Sequence, residues 1–127
     1  MQNRNLKTSI AAGLLGIGLS LSPMMLSAKT ILVLGDSISA AYGMQLQQGW
    51  VQLLQKRLEQ QYPKKHKVVN ASVSGETTSG AVARLDKLLH NYKPDIVLIE
   101  LGGNDGLRGQ PPQLIKKNLA TLLQQSQ

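Results

Sequence analysis

Three times after Lys29 the chain runs the same course: a short aliphatic stretch, a glycine-bearing loop, then a segment whose apolar residues recur at helical spacing. That order marks successive βα units, in which parallel strands form a sheet and the helices cover its faces. The first unit predicts a strand at 31–35, a loop through Gly43 and Gly49, and a helix near 50–61 with Trp50, Leu53, Leu54 and Leu58 on one face. The second, "KVVNASVSGETTSG", predicts a strand near 67–71 and a helix near 78–91 carrying Val82, Leu85, Leu88 and Leu89. The third, "PDIVLIELGGNDGLRG", predicts a strand at 96–101 and a helix from about Pro112 carrying Leu114, Ile115, Leu119, Leu122 and Leu123. No linker or low-complexity tract interrupts the series, so residues 29–127 read as one α/β domain. Its core must be aliphatic, because Phe is absent and Trp50, Tyr42, Tyr62 and Tyr92 are the only aromatic residues.

Ahead of that domain, Arg4 and Lys7 precede an apolar stretch from Ile10 to Leu21, and Pro23 closes it. This is the layout of a secretory signal peptide, expected over residues 1–28 with Ala28 as the small residue before cleavage. An uncleaved anchor is the alternative, but the stretch is too short for stable membrane insertion. The domain is therefore expected in the periplasm or secreted. Fourteen Lys and Arg stand against seven Asp and Glu, and removal of the signal leaves twelve against seven. Part of that excess is "KKHK" at 64–67, which lacks the interleaved aromatic residues of a nucleic-acid site and reads as a solvated loop. The chain has no cysteine, which excludes disulfides, thiolate metal sites and a lipoprotein anchor.

Ligands of open parallel sheets bind beyond the carboxyl ends of the strands. The three loops there hold Ser37, Gly75 and Asn104. With strand order 2-1-3 the first strand is central, and Ser37 lies between the other two loops. A hydroxyl nucleophile would then sit beside a glycine amide open to close approach and beside a side-chain amide that donates hydrogen bonds. Acyl transfer needs such donors around its developing oxyanion.

These stretches resemble the SGNH or GDSL hydrolases. "GDSISAAYG" is similar to that family's first block with Ser37 as nucleophile, "NASVSGETTSG" to the second with Gly75, and "ELGGNDGLRG" to the third with Asn104. The resemblance runs from about residue 30 to the end and favours the bacterial periplasmic branch of acyl-CoA thioesterases, lysophospholipases and arylesterases. It implies a flavodoxin-like, three-layer α/β/α fold, no metal or cofactor, and a small-molecule or lipid ester or thioester as substrate. It also implies an oxyanion hole made by the Ser37 and Gly75 amides and the Asn104 side chain.

Members of that family end in an Asp-x-x-His block that supplies the orienting acid and the general base, and no such block occurs in these 127 residues. The chain is therefore expected to be the first three βα units of a longer domain, inactive alone. Asp86 and His90, four apart on the second helix, imitate an acid–base pair but are expected on a solvated flank. His66 is expected exposed, in the loop before the second strand. The rival enzyme reading takes Asp36, Glu76 and Asp105 as a carboxylate set holding Mg²⁺ for phosphate chemistry. It leaves the serine, glycine and asparagine unexplained, and no phosphate-cradling loop accompanies it. The remaining alternative is an inactive exported fragment.

Overall fold

The structure is a computed structural model that describes residues 27–127; the charged and apolar parts of the expected signal peptide lie outside the described residues. Its elements are β1 (Lys29–Gly35), a 3-10 turn (Leu46–Gln48), α1 (Trp50–Gln61), β2 (His66–Asn70), α2 (Thr78–Tyr92), β3 (Ile96–Glu100), α3 (Gly103–Leu107) and α4 (Pro112–Gln125). The three strands are parallel in the order β2-β1-β3, so β1 is central as the sequence predicts. Lys29 pairs with His66 at one end of the β1–β2 ladder, and Gly35 with Glu100 at the other end of the β1–β3 ladder.

Leu32, Val33 and Leu34 are all fully buried. Consecutive burial, rather than alternation, shows that β1 is covered on both faces, as a parallel sheet requires. Right-handed crossovers explain the cover: α1 leads from β1 outward to β2, whereas α2 returns across β1 to β3 and lands on the opposite face. There α2 and α4 pack together, and Leu34, Ala81, Leu85 and Leu122 form the core with Val82, Leu88, Leu89, Ile99 and Leu119 against it. Thr77 caps α2 by accepting a hydrogen bond from the Gly80 amide at 3.1 Å.

Two details depart from the sequence pattern. In α1 the inward residue is Val51, 4% exposed, whereas Leu53 is 51% exposed. The helix turns Gln55 to the sheet instead: its Oε1 accepts from the Val68 amide at 2.7 Å, and its Nε2 donates to the His66 carbonyl at 3.2 Å. One side chain thus closes part of the free edge of β2, which an apolar residue at that position could not do. The second departure is α3, a short helix between β3 and α4 that apolar periodicity does not announce. On the other side of the sheet, Ile96 and Leu98 of β3 are exposed. Among the described residues no helix is long and apolar enough to cross a membrane.

Candidate active site

The loop after β1 folds back on itself at once. Asp36 is buried and accepts the Ile38 amide on Oδ1 at 3.0 Å, while the Asp36 and Ser37 carbonyls accept from the Ala40 and Tyr42 amides at 2.9 and 3.0 Å. Ser39, also buried, anchors the turn on three sides. Its hydroxyl accepts from the Trp50 indole at 3.1 Å and donates to Glu100 Oε2 at 2.9 Å, and its carbonyl accepts from the Asn70 side chain at 2.8 Å. Asn70 and Glu100 are the last residues of β2 and β3, so every strand end holds the serine turn. The packing requires Gly35, because a Cβ there would stand 2.6 Å from the Ser39 hydroxyl oxygen.

The second loop stays alongside the first because the ladder continues beyond β2: the Ala71 amide donates to the Val33 carbonyl at 2.8 Å and the Val73 amide to the Gly35 carbonyl at 3.0 Å. The chain then turns through Gly75 at φ +79, a left-handed conformation that glycine adopts without penalty. Arg84 fixes the loop from α2, its Nε donating to Glu76 Oε2 at 2.6 Å and its Nη2 to the Ala71 carbonyl at 2.6 Å.

The third segment ties the other two. Asn104, in the first turn of α3, donates from Nδ2 to Asp36 Oδ2 at 3.2 Å and to the Glu76 carbonyl at 2.9 Å. Asp36 precedes Ser37 and Glu76 follows Gly75, so one side chain brings together the three loops that carry Ser37, Gly75 and Asn104. The Asn104 amide thus has acceptors for both of its N–H groups within the protein. Its neighbour Asp105 faces the other way, fully buried, and accepts from the Thr78 amide at 2.9 Å and the Thr78 hydroxyl at 2.5 Å. Nothing in the apolar pattern signals that anchor.

Amid these satisfied groups several polar groups are left open, the buried Ser72 hydroxyl of the second loop among them. Among the described residues the Ser37 hydroxyl, the Ser37 amide and the Gly75 amide make no hydrogen bond to the protein. By contrast, Asp36, Glu76 and Asp105 are each occupied by separate N–H or O–H donors, and among the described residues no three His, Cys, Asp or Glu side chains converge as an ion cage. The histidines do not reach Ser37. His90 and Asp86 are exposed on α2. His66 corrects the loop expectation: it is half-buried as the first residue of β2, its Nδ1 accepts the Lys29 amide at 3.2 Å, and its ring meets Tyr62 edge-on at 5.3 Å. That position is at the end of the sheet opposite Ser37. An open apolar groove of about 440 Å³ on α4, lined by Pro112, Ile115, Lys116, Leu119, Ala120 and Leu123, shares no residue with the site.

The sequence signature of the GDSL-like Lipase/Acylhydrolase family matches residues 33–127, which includes all three loops. The chain belongs to this family. It is 52% identical over 111 residues to Esterase TesA of Pseudomonas aeruginosa, covering 87% of this chain and 54% of that one. It is 47% identical over 98 residues to thioesterase 1/protease 1/lysophospholipase L1 of Escherichia coli K12, covering 77% of this chain and 45% of that one. The crystal structure of the psychrotrophic esterase EstA from Pseudoalteromonas, inhibited by monoethylphosphonate, superposes with a TM-score of 0.72 at 52% identity, over 77% of this chain and 53% of the other. The chain therefore spans about half the length of the curated GDSL relatives it matches.

Proposed function

We propose that this chain carries the nucleophile and the oxyanion-binding part of a serine esterase or thioesterase, with residues 1–28 as an export signal to the periplasm or beyond. The observation that carries the reading is the open Ser37 hydroxyl beside the open Ser37 and Gly75 amides, on loops that the paired side chains of Asp36, Ser39, Glu76 and Asn104 hold together. Ser37 Oγ attacks the carbonyl carbon of an ester or thioester and gives its proton to a base. The carbonyl oxygen becomes an oxyanion and is received by the two amides. Asn104 joins them by turning toward the oxyanion the N–H that now lies 3.2 Å from Asp36, the longer of its two bonds. Collapse expels the alcohol or thiol and leaves the acyl group on Ser37, and water then releases it as the acid. The esterase and thioesterase names of the relatives, and the phosphonate inhibition of one of them, agree with this chemistry.

The base is the step that His66 and His90 do not supply, His66 lying at the opposite end of the sheet and His90 exposed on the flank of α2. An external base therefore tests the assignment. Fluorophosphonate labelling, mapped by mass spectrometry, is expected on Ser37, accelerated by added imidazole and absent in Ser37→Ala. Labelling that persists undiminished in Ser37→Ala sinks the assignment. Without imidazole, turnover of p-nitrophenyl esters is expected to match the Ser37→Ala control.

A further inference from the structure

We propose that Arg108 is a specificity-determining residue of this site, recognising a leaving-group phosphate that lies one glycerol unit from the scissile carbonyl, as in a lysophospholipid. The proposal takes the place of the carbonyl from the hydrolase reading above and adds observations of its own. Arg108 follows α3, and its Nη2 donates to the Gly75 carbonyl at 3.0 Å. The same nitrogen stands 3.5 Å from where a Gly75 Cβ would be. The guanidinium therefore lies in ordinary contact with the side-chain face of Gly75, the residue whose amide is proposed to receive the oxyanion.

That cation is not spent on the scaffold. Arg84, the other arginine at this edge, is held by Glu76 and the Ala71 carbonyl, whereas Arg108 is exposed and among the described residues has no carboxylate partner. A guanidinium offers five donors in a planar fork that matches phosphate oxygens, and only one nitrogen of this one is engaged.

The surroundings suit the rest of such a ligand. Ile38, Tyr42 and Met44 after β1, Val73 after β2, and Leu107 at the end of α3 are all exposed at this edge, Leu107 to 87%. Exposed apolar side chains gathered on one edge mark a surface for an apolar ligand. Apolar chains beside a free cation fit a single-chain amphiphile with a phosphate in its head. The short span from Arg108 to Gly75 selects a phosphate near the ester; the phosphates of CoA lie beyond a pantetheine arm. In the reaction the Ser37 Oγ–carbonyl bond forms and the carbonyl–glycerol oxygen bond breaks. The glycerophosphate alcohol leaves with the proton that the base took from Ser37.

Binding can be read without turnover in the Ser37→Ala chain. Affinities for octanoyl lysophosphatidylcholine, monooctanoylglycerol and octanoyl-CoA are measured by calorimetry and by the fluorescence of Trp50, the sole tryptophan. The lysophospholipid is expected to bind about fivefold tighter than the glycerol ester, with the advantage shrinking in high salt, as an exposed charge contact should. Arg108→Gln is expected to abolish that advantage, and Arg108→Lys to retain most of it. Equal affinities of the two esters in the arginine-bearing chain, or equal weakening of both by Arg108→Gln, would reduce Arg108 to a prop for the Gly75 loop and overturn the proposal. Loss of octanoyl-CoA binding as large as that of the lysophospholipid overturns the one-glycerol distance. Fluorophosphonate labelling reports separately: a headgroup preference that depends on Arg108 without labelling at Ser37 removes the hydrolase reading and leaves the phosphate site standing.

Discussion

The two ends of this sheet are built from the same kinds of residue and put to different uses. At the amino end of the strands a set of contacts closes on itself: Lys29 Nζ meets Asp95 Oδ1 at 3.1 Å, the Thr30 amide donates to Asp95 Oδ2 at 2.7 Å, and the Asp95 amide returns a bond to the Thr30 carbonyl at 2.8 Å. At the carboxyl end the scaffold is denser, with Ser39, Asn70, Glu100 and Asn104 joining all three strands, yet among the groups it leaves unpaired are the Ser37 hydroxyl and the Ser37 and Gly75 amides. Ser37 and Gly75 are half-buried, so their open groups remain within reach of a ligand while the side chains around them are held by the scaffold. The comparison teaches where stability ends and chemistry begins: one end should respond to substitution in folding alone, the other in reactivity.

The largest expected effect tests that division at Asn104. Asn104→Ala should slow imidazole-assisted phosphonylation of Ser37 by about 10²–10³-fold, or roughly 2.7–4 kcal/mol, as expected for an oxyanion donor. Because Asn104 also bonds Asp36 and the Glu76 carbonyl, its melting temperature must be measured beside the rate. A drop in stability with an unchanged labelling rate per folded molecule would make Asn104 a brace and not a donor.

Gly35→Ala comes next. The added Cβ would meet Ser39 Oγ at 2.6 Å, Ser39 Cβ at 2.7 Å and Glu100 Oε2 at 3.1 Å, and Ser39 has no freedom to retreat from Trp50, Glu100 and Asn70. Overpacking of this kind costs about 1–3 kcal/mol, read as a lowered denaturation midpoint. Wild-type stability would show that the serine turn is looser than its hydrogen bonds imply.

Much of this fold is legible in the sequence, for physical reasons that also mark the limits. The three strands and the helices α1, α2 and α4 announce themselves because burial against a sheet imposes a period that survives in the sequence. The strand tips are legible because small residues interrupt the apolar runs at Gly35 and Gly102. What escapes is set by single polar contacts that leave no period. The face of α1 is chosen by Gln55 reaching the edge of β2, so Leu53 is displaced outward. The helix α3, five residues with two glycines, lacks intrinsic propensity; Asn104 and Asp105 bond to Asp36, Glu76 and Thr78, and these contacts hold it. His66 looks like part of a charged loop until the register pairs it with Lys29.

The smallest effect belongs to the amino end and is visible only in acid. The Thr30 amide first, and the Lys29 ammonium second, hold the Asp95 carboxyl below its ordinary value of 3.8 in the folded chain. A carboxyl depressed on folding binds protons more readily when the chain is unfolded, so it adds stability above the unfolded value, and that stability is lost as pH falls below 3.8 toward the folded value. Asp95→Asn should therefore lower the melting temperature slightly at neutral pH and flatten the acid limb of the stability curve. Since the pair is solvent-exposed, salt should shrink the difference. Labelling of Ser37 should not change at all, because no strand-tip contact involves Asp95. A labelling rate that moved with Asp95→Asn would couple the two ends of the sheet and break the division between them.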